Sequence, residues 1–332
     1  MRVAVAVQKP VPVQLQAIGT VEAFATVSVK SRVDGELVGV HFREGQDVKR
    51  GELLFTIDPR PFQVALREAQ ARLERDIALA DKAEMDAQRY AELVANNHVS
   101  RDKYEQFRAN AEALRALTAA DRAIVERAQL QLDYCTIRAP MAGRTGRLLV
   151  DVGSQIKAGD DKGVLVEIAQ IMPIHVAFAV PQQHLTAIKA RMAGGVLTVA
   201  AQIPGTPPVE ETGTLSFLDN KVNSQTGTIM LKAEFANAAR ALWPGQFVTA
   251  VLTLSTRPDA VLIPAVAIQT GQDGTFVFVV NPDQTVESRP VTAGMSVGDD
   301  AVIEKGLAPG DTVVTEGQLR LVPGAKVQPK DS

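Results

Sequence analysis

The chain has 332 residues, which is enough for several small domains, and 46% of them are hydrophobic while 22% are charged. A formal net charge of −3 provides no basic field for nucleic acid, so we expect no nucleic-acid partner. The single cysteine, Cys135, excludes an internal disulfide and a cysteine zinc site, and we expect a small buried residue there.

The first 25 residues read as two strands, around Val3–Gln8 and Val11–Thr20. No hydrophobic run in the chain reaches the roughly 20 residues that a membrane-spanning helix needs. The start of the sequence also lacks the apolar core and cleavage site of a signal peptide. We therefore expect residues 1–25 to be N-terminal strands.

Residues 26–60 and 134–170 contain an internal repeat. Glycines recur at the same offset in both copies, at Gly35, Gly45 and Gly51 and again at Gly143, Gly153 and Gly159. Each copy alternates strand-like apolar residues with glycines at positions where a turn needs a positive φ. We predict that the copies are two halves of one small β-sandwich, which resembles a biotinyl or lipoyl carrier domain.

Residues 61–133 separate these halves and are rich in helix-forming residues, with no Gly or Pro between Phe62 and Ala139. They predict two helices broken once, at 96–99, and packed as an antiparallel coiled coil. The predicted seam has a 3-4 spacing, with Glu84, Thr118 and Asp121 as polar interruptions, and consists of Phe62, Leu66, Ala69, Leu73, Ile77, Ala80, Ala87, Ala91, Val94, Tyr104, Phe107, Ala111, Leu114, Val125, Ala128 and Leu132. Two helices of an ordinary bundle are the alternative, but no other stretch could supply the remaining bundle helices.

Residues 171–255 predict a small antiparallel β-barrel with one short helix over 181–188. Its strands are expected at Ile174–Val180, Val196–Ile203, Glu210–Leu218, Thr228–Phe235 and Gln246–Leu254. Residues 256–328 predict a last β domain, and residues 329–332 a disordered tail. The strands of the last domain are expected at Val261–Pro264, Phe276–Val280, Val286–Thr292, Ala301–Lys305 and Thr312–Glu316, with hairpin turns at 271–274 and 281–284.

A lipoyl-like domain split by a helical hairpin resembles the periplasmic adaptors, or membrane fusion proteins, of the HlyD type. Two further segments, 217–229 and 242–248, resemble a pattern of adaptors of RND efflux pumps. The resemblance implies an elongated, mostly β chain with a long α-helical coiled-coil hairpin. Its domains would be a split lipoyl-like (barrel-sandwich hybrid) domain, an antiparallel β-barrel and a membrane-proximal β domain that recruits the first strand. The turn that carries the modified lysine of true carriers is replaced here by 58–61, which contains no lysine.

The predicted hairpin tip carries Arg89, Leu93 and Ser100, a spacing that resembles the motif by which such adaptors contact a TolC-like outer-membrane channel. Arg89 can donate a fork of hydrogen bonds to a partner helix end, and Leu93 supplies an apolar side chain. Each residue also has a purely structural interpretation. Ser100 suits an N-cap, Leu93 can close the coiled coil, and Arg89 can be solvated.

The resemblance implies a non-catalytic periplasmic adaptor, associated with the inner membrane, whose export signal or anchor is absent from this sequence. It would bridge an inner-membrane RND transporter and a TolC-like channel as a homo-oligomer, in a ring of six. The four histidines lack zinc-ligand spacing, and there is no nucleophile elbow or phosphate-binding loop, so we expect no metal, cofactor or enzymatic activity. An adaptor of an ABC-type exporter, a lipoyl or biotinyl carrier protein, and a scaffold unrelated to transport are the alternatives.

Overall fold

The computed structural model describes residues 1–160, 163–205, 209–271, 274–318, 321 and 324–327. Its helices are α1 (Arg60–Ala95), α2 (Arg101–Asp133) and α3 (Leu185–Gly194), with short 3-10 turns at Gln182–His184 and Ala265–Ala267. Its strands are β1 (Arg2–Val5), β2 (Val7–Lys30), β3 (Gly35–Val40), β4 (Asp47–Val48), β5 (Leu53–Ile57), β6 (Thr136–Arg138), β7 (Gly143–Thr145), β8 (Gln155–Ile156), β9 (Val164–Pro181), β10 (Thr198–Ile203), β11 (Val209–Asn223), β12 (Thr228–Phe235), β13 (Phe247–Pro264), β14 (Gln269–Gly271), β15 (Gly274–Val280), β16 (Val286–Pro290), β17 (Thr292–Val297), β18 (Asp300–Lys305) and β19 (Thr312–Glu316).

The chain divides into two compact units. The central unit comprises Glu22–Ile174 and Asn237–Pro244. The terminal unit comprises Met1–Val21, His175–Ala236 and Gly245–Ser332. The predicted tail, 329–332, lies outside the described residues, as does the middle of the predicted turn at 271–274.

The two halves of the sequence repeat form one module in the central unit. Strand β3 pairs with β8, β4 with β7, and β5 with β6, so three strand pairings join the first half to the second. Their side chains share one core, composed of Val29, Val33, Leu37, Val48, Leu54, Phe55, Ile57, Cys135, Ile137, Ala139, Ile156, Leu165, Val166 and Ile168. The prediction that the repeat builds a single split β domain is therefore confirmed.

The repeat glycines occupy two kinds of position. Positive φ angles occur in turns at Gly45 (71°), Gly51 (85°), Gly153 (91°) and Gly159 (73°), a region that glycine enters without steric cost. Gly143 has no positive φ, but a Cβ there would lie 2.7 Å from the Ala169 backbone oxygen. Gly35 (φ 157°) also has no room for a side chain, because a Cβ there would lie 2.5 Å from the Ile57 side chain. At these last two positions the close approach of a neighbouring strand is what requires glycine.

Helix α1 begins directly after β5. The Asp58 carboxylate accepts hydrogen bonds from the Arg60 backbone nitrogen (3.0 Å) and from Arg60 Nε (2.9 Å), while Pro59 is the N-cap and Pro61 lies in the first turn. The Arg60 guanidinium and amide hold the pKa of the Asp58 carboxyl below its usual range. The substrate-carrying turn of a carrier domain is thus replaced by a helix start.

Helices α1 and α2 pack against each other in antiparallel fashion. One cluster joins Leu66 and Ala69 to Ala128, and a second joins Ala83 and Ala87 to Ala111. The predicted seam is incomplete in its middle section. Its members Leu73, Ile77 and Ala80 are half-buried. Asp76 and Ala83, which the prediction omits, are buried, and so are its polar interruptions Thr118 and Asp121. Alanine side chains let the two helices approach closely. The centre of the helical pair is therefore formed by small or polar side chains.

The terminal unit contains the predicted β-barrel. Within the described residues, β13, β10, β11, β12, β9 and β2 pair in that order, and β2 pairs back to β13, so the strands close into a ring. Strand β2 is continuous through the predicted break between residues 8 and 11, because it pairs with β13 from Val7 to Thr20. Strand β13 likewise continues through bulges from Phe247 to Pro264, so the strands predicted at 246–254 and 261–264 are one. Helix α3 extends to Gly194, beyond the predicted end at residue 188.

The last β domain also lies in the terminal unit. Strand β1 pairs with β19, and β19, β15 and β14 continue the sheet, with β16 beside β15. Its core contains Ala6, Ile263, Ala267, Val277, Val279, Val291, Ile303 and Val313. The first strand of the chain is therefore part of the last domain, as predicted. The strand predicted at 286–292 ends at Pro290, and a separate strand begins at Thr292.

Candidate docking site at the end of the helical pair

The turn between α1 and α2 has the hydrogen bonds of a Schellman C-cap. The His98 backbone nitrogen donates to the Leu93 carbonyl (2.8 Å), and the Asn97 nitrogen donates to the Val94 carbonyl (2.9 Å). Asn97 itself has φ 59°, in the left-handed region that asparagine tolerates better than most residues. The turn therefore ends α1 with the Leu93 and Val94 carbonyls satisfied and returns the chain towards α2.

Ser100 begins α2 as its N-cap. Its backbone is extended, and its hydroxyl oxygen accepts a hydrogen bond from the Lys103 backbone nitrogen at 3.4 Å. Asp102 lies in the first turn, where a negative charge interacts favourably with the helix dipole. The Ser100 side chain is nevertheless exposed, so the structural role leaves the hydroxyl accessible to a partner.

Arg89 and Leu93 lie one helical turn apart on the same face of α1. The Arg89 side chain is 68% exposed, and its Nη1 lies 3.5 Å from Asp86 Oδ1. Leu93 is half-buried beside the turn. The structure thus brings Leu93 and Ser100 to the two sides of the turn, with Arg89 one turn below Leu93.

An aromatic pair that the sequence reasoning missed lies just below the turn. The rings of Tyr90 and Phe107 stack across the two helices, with centroids 3.9 Å apart and an interplanar angle of 16°. Lys103 Nζ lies 5.3 Å from the centroid of the Phe107 ring. Tyr90 precedes the turn by about as many residues as Phe107 follows it. In an antiparallel helical pair such residues face each other, and this spacing could have revealed the stack. The stack joins the helix ends that carry the three predicted contact residues.

Replacing Asn97 by valine should loosen the turn. A β-branched residue at φ 59° costs about 1–2 kcal/mol, so we expect the His98 and Asn97 amides to exchange hydrogen about 5–30-fold faster than in the wild type. Asn97→Gly is the control, because glycine adopts the same φ without strain, and it should exchange no faster than the wild type. Equal exchange in the valine variant would show that the left-handed residue does not determine the turn.

The remaining chemistry in the described residues is sparse. No group of three or more His, Cys, Asp and Glu side chains among them could hold a metal ion. Burial raises the pKa of the Cys135 thiol, and this side chain belongs to the core of the split domain. None of the described helices combines the length and the apolar character needed to cross a membrane.

Three family models match successive parts of the chain. They are described as the RND MFP barrel-sandwich hybrid domain (residues 25–168), the RND MFP beta-barrel domain (173–256) and the RND MFP C-terminal permuted SH3 domain (259–320), where MFP denotes membrane fusion protein. A split barrel-sandwich domain followed by a barrel and a C-terminal β domain defines the class of membrane fusion proteins. The chain belongs to the RND membrane fusion protein family.

The relatives in this family are similar over almost the whole chain. Multidrug resistance protein MdtA of Cronobacter turicensis is 44% identical over 328 residues, covering 98% of this chain and 79% of that protein. MdtA of Escherichia coli K12 is 43% identical over 329 residues, covering 99% and 79%. The MacA–MexA chimeric protein with the Pseudomonas aeruginosa MexA α-hairpin has a TM-score of 0.62 at 21% identity, covering 91% of this chain and 96% of that one. MacA from Actinobacillus actinomycetemcomitans has a TM-score of 0.59 at 18% identity, covering 95% and 99%. These two structures show a shared fold.

Proposed function

We propose that the chain is the periplasmic adaptor subunit of a tripartite RND efflux pump that exports drugs or other small toxic compounds. It would bridge an inner-membrane RND transporter and a TolC-like outer-membrane channel. The observation that carries the proposal is the uninterrupted order of three RND membrane fusion domains, together with 44% identity to a multidrug resistance protein over 98% of the chain.

The domain division supports separate tasks along the chain. Residues 26–60 and 134–170 form a lipoyl-like domain, 61–133 a coiled-coil hairpin, 171–255 a β-barrel, and 256–328 a membrane-proximal domain. The N-terminal strands of 1–25 join the membrane-proximal domain and the β-barrel. The barrel and membrane-proximal domains dock on the periplasmic face of the transporter. The lipoyl-like domains pack side by side, and the hairpins bundle into a tube that meets the channel tip to tip.

Arg89, Leu93 and Ser100 provide the contact with the channel. The exposed Arg89 guanidinium has further donors beyond its contact with Asp86, so it can bind carbonyl or carboxylate oxygens at the end of a partner helix. Leu93 contributes apolar surface beside the turn, and the Ser100 hydroxyl lies at the start of α2. The Tyr90–Phe107 stack supports the proposal, because it fixes the helix ends that carry these groups.

The proposed function requires several copies of the chain. Two packed helices enclose no conduit, so a passage through the adaptor requires several chains around an axis, and we propose a closed ring of six. The adaptor catalyses nothing in this scheme, and it holds the transporter and the channel in one assembly.

The proposal is tested by deleting the gene and restoring it on a plasmid in a strain that contains the partner transporter and channel. Deletion should raise intracellular accumulation of a fluorescent pump substrate to the level of a strain without the transporter, and the plasmid should restore efflux. Affinity purification of the chain after cross-linking should recover an RND transporter. Unchanged accumulation after deletion, or recovery of an ATP-driven exporter in place of an RND protein, would contradict the proposal.

A further inference from the structure

The middle of the helical pair contains two buried carboxyl groups. Asp76 of α1 and Asp121 of α2 are each only 1% exposed, and Thr118, one turn before Asp121, is 5% exposed. Removing an ionised carboxylate from water is unfavourable unless opposite charge or hydrogen bonds compensate for it. Two adjacent carboxylates add mutual repulsion, which favours protonation of one of them.

The two carboxyl groups have unequal partners. Arg75 binds Asp76 through two parallel hydrogen bonds, Nε to Oδ1 at 2.8 Å and Nη2 to Oδ2 at 3.0 Å. Arg72 Nε lies 3.0 Å from Asp121 Oδ1, yet neither Asp121 oxygen accepts a well-aligned hydrogen bond from the described residues. The Thr118 hydroxyl is not available to Asp121, because it donates to the Arg115 carbonyl. Asp76 is therefore satisfied as an anion, whereas Asp121 is not.

The charged groups that act on this pair all come from α1, apart from Asp121 itself. They are Arg72, Arg75 and Asp76. The neighbouring Asp76 carboxyl, followed by burial, raises the pKa of Asp121 above its ordinary value. The Arg75 guanidinium, followed by the neighbouring Asp121 carboxyl, lowers the pKa of Asp76. Both directions agree with a protonated Asp121 that donates to an ionised Asp76.

We propose that Asp76 and Asp121 share one proton across the helix interface and that this hydrogen bond is a pH-dependent clasp between α1 and α2. When Asp121 releases its proton to solvent, two carboxylates face each other and the bond between the helices is lost. The two exposed arginines partly offset the repulsion, so the helices remain paired but open more readily at this level. This inference concerns the helical pair alone and does not depend on the efflux assignment.

The direction of the pH dependence follows from the proton count. In a locally opened hairpin Asp121 titrates near the ordinary aspartate value of about 3.9, whereas in the closed hairpin it holds its proton to higher pH. Between these two pKa values the closed state binds one more proton than the open state. Opening therefore becomes easier as pH rises, by up to about tenfold per pH unit, and the dependence ends above the raised pKa. Asp76, whose pKa is lowered, has the opposite effect only below the ordinary value.

The test is amide hydrogen exchange of the full chain, followed at residues 73–79 and 118–124 from about pH 4 upwards and corrected for the intrinsic chemical rate. We expect protection to fall with pH by up to about tenfold per unit in the wild type. Asp121→Asn keeps a permanent donor towards Asp76 and should remove this slope. Asp81→Asn, at an exposed position of α1, is the matched control and should retain it.

A second measurement can be made on the wild-type protein alone, so it does not depend on whether a variant folds. An infrared pH titration of the wild type should show one carboxyl carbonyl stretch that persists to higher pH than those of the ordinary carboxyl groups, which titrate near about 3.9 for Asp and about 4.3 for Glu. Where Asp121→Asn folds, this band should be missing. The same exchange slope in the wild type and in Asp121→Asn would overturn the proposal. A wild-type titration in which no carboxyl band persists above the ordinary range would overturn it as well.

Discussion

Replacing Phe55 by alanine should lower the free energy of unfolding of the central unit by about 3–5 kcal/mol. Phe55 has 0% exposure and lies in the shared core of the split domain. Its strand pairs with the segment that follows α2, with Phe55 opposite Ile137, and its ring meets Phe42 edge to face at 5.2 Å. The substitution leaves a cavity where the two halves of the repeat join, so both halves lose packing together.

The measurement can be confined to this unit, because the only tryptophan of the chain, Trp243, belongs to it. The Arg144 guanidinium lies 5.3 Å from the centroid of the Trp243 ring. Unfolding of the central unit separates these groups, so it should change the fluorescence of Trp243. Phe247→Ala is the matched control, since Phe247 is 66% exposed and lies in the terminal unit. We expect the control to change stability by less than about 0.5 kcal/mol. Equal effects of the two substitutions would show that Phe55 does not hold the halves together.

Arg89→Ala and Leu93→Ala should each abolish efflux-dependent resistance while leaving the chain folded. The guanidinium is exposed and its only described ion pair is with Asp86 of the same helix, so its removal should cost little stability. A partner helix end that has lost this fork of donors retains buried acceptors without partners, which is the expensive outcome at an interface. We therefore expect drug susceptibility equal to that of a strain without the adaptor.

Arg67→Ala is the control for the loss of charge on the helix. Arg67 is exposed on α1, and its distance from Arg89 is about 33 Å along the helix axis. It should leave resistance unchanged, and the circular dichroism spectra of all three variants should match the wild type. Normal resistance in both tip variants would remove the assignment of this site.

The split domain could be predicted from the sequence because its signal is local. Glycine is required wherever a turn needs a positive φ, and the same glycine spacing occurs on both sides of a long helical segment. The helix ends were equally predictable, since Asn96 and Asn97 interrupt a stretch without Gly or Pro and Ser100 suits an N-cap. These features depend on residues close in sequence, so a pattern of residue types is enough to find them.

The centre of the helical pair could not be predicted, because its burial depends on pairing across the two helices. A heptad pattern favours apolar residues such as Ile77 and treats Asp121 as an interruption. In the structure Asp76 and Asp121 are buried instead, and the arginines of α1 make that possible. Hydrophobic periodicity carries no information about a charge that is compensated by a neighbouring side chain.

Long-range packing also determines where residues 237–244 lie. This segment falls in the sequence range of the β-barrel, 171–255, and its contacts group it with the central unit. Asn237 is completely buried, donates to the carbonyls of Ile171 and Leu242 at 2.9 Å, and accepts from the Leu242 nitrogen at 3.0 Å. A single asparagine in a polar loop gives no sequence signal for this arrangement, because its partners are set by the folded chain.

The most direct test of the account is site-specific photo-cross-linking in cells that contain the assembled pump. A photoreactive amino acid at position 93 should form an adduct with the outer-membrane channel. The same group in place of Leu130, which is 48% exposed on α2 and lies about 45 Å along the helix from Ser100, should not. Channel adducts from position 93 alone are the predicted result. Adducts of position 93 only with the inner-membrane transporter, or channel adducts of equal yield from position 130, would contradict tip-to-tip docking.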